Sequence, residues 1–308
     1  MRKLERRARL CILFALLLVV GLGIFIARFV TQGDTWATYP ANAHIYADGN
    51  LTTGTIRDRQ GKLLAKNTAD GIKYNKDEAI RRATVHVVGD KQRSISNSAE
   101  TSFQDIMTGY NIVTGVYSPG GRELKLTIDA DLCKTANAAL NGRKGTVGVY
   151  NYETGDIVCL VSSPNFDPKN PPSLSSDDDS GTYINRFLSS AIVPGSIFKL
   201  VTSAAVIENV GDIDSFSYTC SGVKYYGNDK ITCPSAHGTQ GFESALANSC
   251  NGAFAELSEK VGGSLFEEYV NKYGLTKSLN LSGIKTAKGS FTFPDEINAN
   301  LAWAGIGQ

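Results

Sequence analysis

A chain of 308 residues with 20% charged and 9% aromatic side chains has room for about two folded units and an ordinary globular texture, which excludes collagen-like, coiled-coil and disordered classes. Its formal net charge of +1 hides an asymmetry: Arg2, Lys3, Arg6, Arg7 and Arg9 stand against a single acid, Glu5, and the remainder of the chain is mildly acidic. A nucleic-acid partner would need a basic face on the folded part, so that class is set aside.

Leu10 to Ala27 carries no charge, and with Arg28 snorkelling the run extends to Val30. About 20 apolar residues cross a hydrocarbon core of roughly 30 Å, whereas the apolar part of a cleaved signal peptide is about 7–15 residues. The expectation is a cytoplasmic tail over 1–9 and a retained transmembrane anchor over 10–30, with everything after Val30 outside the cytoplasm because the basic end stays inside. Residues 31–121 are polar and broken by turns, and Gly54 to Ala65 alternates around a polar turn ending in Gly61, the pattern of a β-hairpin. This stretch reads as a small, β-rich module between the membrane and a main domain at 122–308.

From Glu123 the texture changes. Leu124 to Ile128 alternates as a strand, and Asp129 to Leu140 has helical spacing. Gly145 to Tyr150 and Ile157 to Ser162 read as two strands joined by an Asn/Gly/Asp turn. Asn165 to Gly181, with its prolines and three consecutive aspartates, reads as a solvated loop. Ser196 to Asn209 and Phe242 to Val261 read as helices. The fold class is therefore α+β, helices packed on an antiparallel sheet.

Six cysteines are present: Cys11 in the span, then Cys133, Cys159, Cys220, Cys233 and Cys250. Cys220 and Cys233 bracket a Gly/Tyr-rich hairpin that could bring both sulfurs together, and an extracytoplasmic site permits a disulfide; two unpaired buried thiols are the alternative. Metal ligation is disfavoured by the absence of a C-x-x-C pair and by the scatter of His44, His86 and His237, so no metal is expected.

The chemistry centres on Val193-Pro194-Gly195-Ser196-Ile197-Phe198-Lys199-Leu200. Pro-Gly forces a turn, and residues three apart on the helix that follows face the same side, so Ser196 and Lys199 can touch. A desolvated amine can take the proton of an otherwise weak serine nucleophile, and the free backbone N–H groups of a helix start favour an oxyanion. Ser-x-x-Lys alone is a poor signal, since Ser221-Gly222-Val223-Lys224 repeats it in a hairpin, where residues three apart point to opposite faces. Downstream, Ala247-Asn248-Ser249-Cys250-Asn251 offers a hydroxyl to relay a proton and an amide to hold a substrate. Ser163-Pro164-Asn165 and Ser278-Leu279-Asn280 share that S-x-N triplet, so order and spacing give the Ser249 copy its weight.

With these motifs the chain resembles the serine penicillin-recognising enzymes, and among them it is similar to class B penicillin-binding proteins. The stretches that carry the resemblance are Gly54 to Gly61, Leu126 to Asp129, Val161 to Asp167, Pro194 to Lys199, His237-Gly238, Ser249-Cys250-Asn251 and Gly305 to Gln308. The resemblance implies a peptidoglycan D,D-transpeptidase: Ser196 attacks the penultimate D-alanine carbonyl of a stem peptide, Lys199 accepts the proton, Ser249 passes it on, Asn251 holds the substrate amide, and an amine of a second stem peptide forms the crosslink. β-Lactams would acylate Ser196. No cofactor is implied; the polar module would be a pedestal and the usual partner a multi-span glycan polymerase. Two departures stand out. Thr53 occupies the place of an Arg before the first Gly, and K-T-G is missing, Lys285-Thr286-Ala287 lying before Gly305 rather than after and reading as a surface loop. The chain is accordingly expected to be a fragment that stops before that motif. The alternatives are a D,D-carboxypeptidase or β-lactamase-like hydrolase, a β-lactam sensor, and a non-catalytic cell-wall scaffold.

Overall fold

The first thirty or so residues are almost free of helix breakers, and they form one helix, α1 (Arg2–Ala37). Its segment Glu5–Gly33 is long and apolar enough to cross a membrane, and its most apolar 18-residue stretch is not buried within the protein. The structure, a computed structural model, describes residues 2–37, 46–47, 50–111, 113, 115–116, 122–291 and 299–308. His44 and the residues just before the expected boundary at 121/122 lie outside the described residues. The chain divides into two units, Met1–Ser189 and Ser190–Gln308.

In the first unit β1 (Thr55–Arg57) and β2 (Leu63–Thr68) form the hairpin expected from Gly54 to Ala65, pairing Thr55 with Lys66 and Ile56 with Ala65. The turn is closed by Asp58, buried to 1% exposure: its Oδ1 accepts from the backbone N–H of Gln60 at 2.9 Å and of Lys62 at 2.8 Å, and its Oδ2 accepts from Ala130 N–H at 3.2 Å. β3 (Gly71–Tyr74) extends the sheet antiparallel to β2. Helix α2 (Glu78–Val88) starts at an Asp77 N-cap. β4 (Glu123–Lys125) joins the other edge of β1 in parallel, the one departure from an antiparallel arrangement among the described strands. Helix α3 (Ala130–Leu140) is capped by Asp129, whose carboxylate accepts from Asp131 and Leu132 N–H. β5 (Gly145–Tyr150) and β6 (Ile157–Ser163) form an antiparallel hairpin. The core of this unit gathers Ile56, Leu64, Ile80, Ala83, Ile128, Cys133, Cys159 and Val161, each fully buried aliphatic side chain contributing about 1.5–3 kcal/mol.

The stretch after β6 corrects the expectation of a solvated loop from Asn165 onward. Phe166 and Asp167 are buried, and the Arg81 guanidinium of α2 donates to Asp167 from Nε at 2.8 Å and from Nη2 at 2.7 Å. The carboxylate needs that cation because a buried charge without a partner is costly. Exposure begins only at Lys169.

In the second unit a tight 3₁₀ turn, Gly195–Phe198, runs into α4 (Lys199–Asn209). Strands β7 (Tyr218–Cys220), β8 (Val223–Tyr226), β9 (Asp229–Thr232) and β10 (Gly238–Gln240) follow, β8 pairing with β9 as a hairpin and β7 with β10 across its base. The helix expected over Phe242 to Val261 is instead two, α5 (Phe242–Ala247) and α6 (Asn251–Val261). Ser249 sits between them at φ 51°, a left-handed conformation that no α-helix can propagate through. α7 (Gly263–Lys272) and α8 (Ala299–Ala304) complete the unit. α6 is central: Leu257 and Val261 join Val201 and Ala205 of α4 and Phe266 of α7 in one apolar cluster, while Ala253 and Phe254 join Cys220, Ile231, Ala302 and Ile306 in another. Lys285-Thr286-Ala287 lies at the end of a two-stranded turn in which Thr286 N–H donates to Leu279 O at 2.9 Å.

Candidate active site

Pro194-Gly195 sets the geometry first. Gly195 has φ 60° and Gly307 φ 82°, conformations that glycine adopts without a Cβ penalty, and Gly195 N–H donates to Gly307 O at 2.9 Å. A Cβ on Gly307 would come within 2.1 Å of Gly195 O. One turn on, Thr202 Oγ1 donates to Gly305 O at 2.7 Å. The segment Gly305–Gln308, singled out in the sequence only by likeness, thus holds the turn that presents Ser196.

Ser196 lies at the surface, whereas Lys199, three residues on, is 1% exposed. The amine Nζ of Lys199 lies 3.3 Å from Ser196 Oγ, 2.9 Å from Ser249 Oγ, 2.8 Å from Ser249 O and 2.6 Å from Asn251 Oδ1. The four residues picked from the sequence are therefore brought together around one amine. Ser221-x-x-Lys224 is not part of it; Lys224 pairs with Glu256 and Glu259.

The bonding capacity of the amine indicates what this arrangement does. An ammonium offers three N–H donors and no acceptor. A neutral amine has two N–H groups, which the carbonyl oxygens of Ser249 and Asn251 accept, leaving its lone pair between the hydroxyls of Ser196 and Ser249. Desolvation pushes the Lys199 pKa below the ordinary 10.5, opposed by the nearby Cys233 and Cys250 sulfurs. The geometry can thus move a proton from Ser196 Oγ to Ser249 Oγ through a single nitrogen. Sequence reasoning gave the side chains but missed the Ser249 carbonyl, which faces the amine because the α5–α6 break releases it from the helical ladder. It also missed Thr232 O, which accepts from Asn251 Nδ2 at 2.8 Å and orients that amide.

Of the two readings left open for Cys220 and Cys233, a bridge or unpaired thiols, the structure has the thiols free; the β8–β9 hairpin brings both sulfurs to a point that Cys250 shares, with Cys233 Sγ and Cys250 Sγ 3.8 Å apart. Spacing along the sequence disclosed no metal set, whereas in the fold Cys220, Cys233, His237 and Cys250 place their ligand atoms within 4.8 Å of one another. Neighbours in the fold, not in the sequence, form that group.

Residues 145–308 match the penicillin binding protein transpeptidase domain, more than half of the chain. The chain belongs to this family. This bears out the resemblance read from its motifs. Among relatives of the transpeptidase-family chain, Stage V sporulation protein D of Bacillus subtilis is 29% identical over 172 residues, covering 51% of this chain and 26% of that protein. The peptidoglycan D,D-transpeptidase PbpA of Mycolicibacterium smegmatis is 27% identical over 213 residues, covering 62% and 43%. The chain thus spans less than half the length of these relatives. A structure of penicillin-binding protein A from M. tuberculosis as its penicillin G acyl-enzyme complex superposes with a TM-score of 0.69 at 23% identity, covering 83% of this chain and 66% of that one, and so shares the fold.

Proposed function

We propose that the chain carries the acylating machinery of a peptidoglycan D,D-transpeptidase. The observation that carries this reading is the buried Lys199 amine set between the Ser196 and Ser249 hydroxyls. Ser196 Oγ attacks the carbonyl carbon of the penultimate D-alanine in a stem peptide, and its proton passes to Lys199 Nζ. As the tetrahedral intermediate collapses, Ser249 Oγ hands a proton to the departing D-alanine nitrogen and is replenished from Lys199. The acyl-enzyme is then attacked by an amine of a second stem peptide, whose surplus proton returns along the same path to Ser196. Asn251 Nδ2, which donates to Thr232 O, keeps the amide oriented for the substrate peptide.

The same reading makes Ser196 the residue acylated by β-lactams, 10–30 an anchor with the N-terminus cytoplasmic, 31–121 a pedestal, 122–308 the transpeptidase domain and a multi-span glycan polymerase the partner. Support comes from the family membership, the apolar α1 and the basic residues that precede its apolar stretch. Fluorescent penicillin labelling of membranes holding the protein, followed by mass mapping, tests it: the adduct is expected on Ser196 and is lost in Ser196→Ala. An adduct on any other side chain rejects the assignment.

A further inference from the structure

Cys220 ends β7, Cys233 follows β9, His237 precedes β10, and Cys250 caps α6. Their three sulfurs and one imidazole nitrogen lie within 4.8 Å of one another. Cys220 and Cys250 are buried; Cys233 and His237 are half-buried. Zinc bound to thiolate at about 2.3 Å in a tetrahedron places its sulfurs roughly 3.8 Å apart, and Cys233 Sγ and Cys250 Sγ are separated by 3.8 Å. A disulfide there would use two of the three thiols and leave Cys220 over.

Two further observations point to a bound cation. His237 Nδ1 is buried and has no hydrogen-bond partner, an arrangement that costs free energy unless something occupies the lone pair. The first amides of α6 face the sulfurs: Gly252 N–H donates to Cys233 Sγ and Ala253 N–H to Cys250 Sγ, each at 3.5 Å. A helix start favours anionic sulfur, and such outer hydrogen bonds orient metal ligands.

We propose that Cys220, Cys233, His237 and Cys250 form a closed structural zinc site. With four protein ligands the ion has no open position, and three thiolates with one neutral imidazole leave the site at net charge −1, which zinc tolerates in Cys₃His centres. The site would also brace the acylation machinery. Cys233 directly follows Thr232, whose carbonyl accepts from Asn251, and Cys250 lies between Ser249 and Asn251. The ion therefore ties together the chain segments on both sides of that hydrogen bond, and the four ligands act as positioning residues.

The full chain, purified in detergent without chelator, is expected to carry one zinc per molecule by elemental mass spectrometry. Exchange for Co(II) is expected to give thiolate-to-cobalt charge-transfer bands and tetrahedral ligand-field bands. Cys220→Ser and His237→Ala lose most of the zinc, while Cys133→Ser, altering a buried thiol of the other unit, keeps it. Removing zinc from the unaltered protein is expected to slow its fluorescent penicillin labelling about 10-fold or more, the usual scale of losing support around a site. A zinc-free chain with a Cys233–Cys250 disulfide overturns the proposal, and so do a cobalt spectrum without thiolate bands and zinc content unchanged in Cys220→Ser. Metal content and the cobalt spectrum are read without acylation, so a failure of the transpeptidase reading would leave them unaffected.

Discussion

Lys199 can serve as a base only while neutral, and its burial favours that form by desolvating the ammonium. The pH–rate profile of Ser196 acylation should therefore rise with a midpoint below 10.5, the ordinary lysine value, and stopped-flow β-lactam acylation reads it; a midpoint at or above that value would remove Lys199 as the base. Lys199→Met should slow acylation by about 10²–10⁴-fold, the usual contribution of a positioned base. Gly307→Ala tests the neighbouring support: the added Cβ meets Gly195 O, so acylation should slow while far-ultraviolet circular dichroism stays unchanged. The Ser196, Lys199, Ser249 and Asn251 side chains were legible in the sequence because two short motifs at fixed offsets carry them. Thr232 O and Gly307 O were not, since a main-chain carbonyl leaves no signature in residue type, and His237 joins three cysteines only after β7 and β10 pair.

Among the elements, α2 carries the most testable energetics. Asp167→Ala should destabilise the first unit by about 3–5 kcal/mol, because it strands the buried Arg81 cation; urea denaturation measures it, and a change below 1 kcal/mol would contradict the pairing. Nothing in the sequence near Arg81 pointed to Asp167, since their contact depends on how α2 packs beside the end of β6. His86, also on α2, is buried and donates from Nε2 to Thr182 O at 2.8 Å. Desolvation lowers its pKa from 6.5 to about 4, so the unfolded chain binds the extra proton first and stability falls as pH drops from 6.5 toward 4. Desolvation raises Glu100 from 4.5 to about 7; here the folded state binds the proton first, and stability falls as pH rises from 4.5 toward 7. Each slope is worth up to about 3 kcal/mol, and they oppose one another. Glu100→Gln removes the second, so thermal melting of that variant should climb from pH 4.5 to 6.5 where the parent is nearly flat. At this scale periodicity served the β1–β2 and β5–β6 hairpins and α3 well. It failed at Asn248–Cys250, where apolar spacing continues through a backbone that turns left-handed.

For the whole molecule, the charge asymmetry and the apolar run of α1 were readable from composition alone, whereas the division after Ser189 was not, because the texture of the sequence changes near Gly121 and not there. If α1 anchors the chain, alkaline carbonate will leave it in the membrane pellet, and deletion of residues 2–37 will move it to the supernatant. Protease added to spheroplasts should digest the part after Val30 while sparing an epitope placed before Leu10; the reverse pattern would invert the proposed orientation. The length of α1 has a consequence of its own. At about 1.5 Å per residue its 36 residues make a rod of roughly 54 Å, against about 30 Å of hydrocarbon, so an upright helix must project beyond the lipid tails and a leaning one must spend the excess as tilt. Each residue added or deleted between Val30 and Ala37 would therefore move the end of α1 by about 1.5 Å and turn it by about 100°, altering heading as well as height.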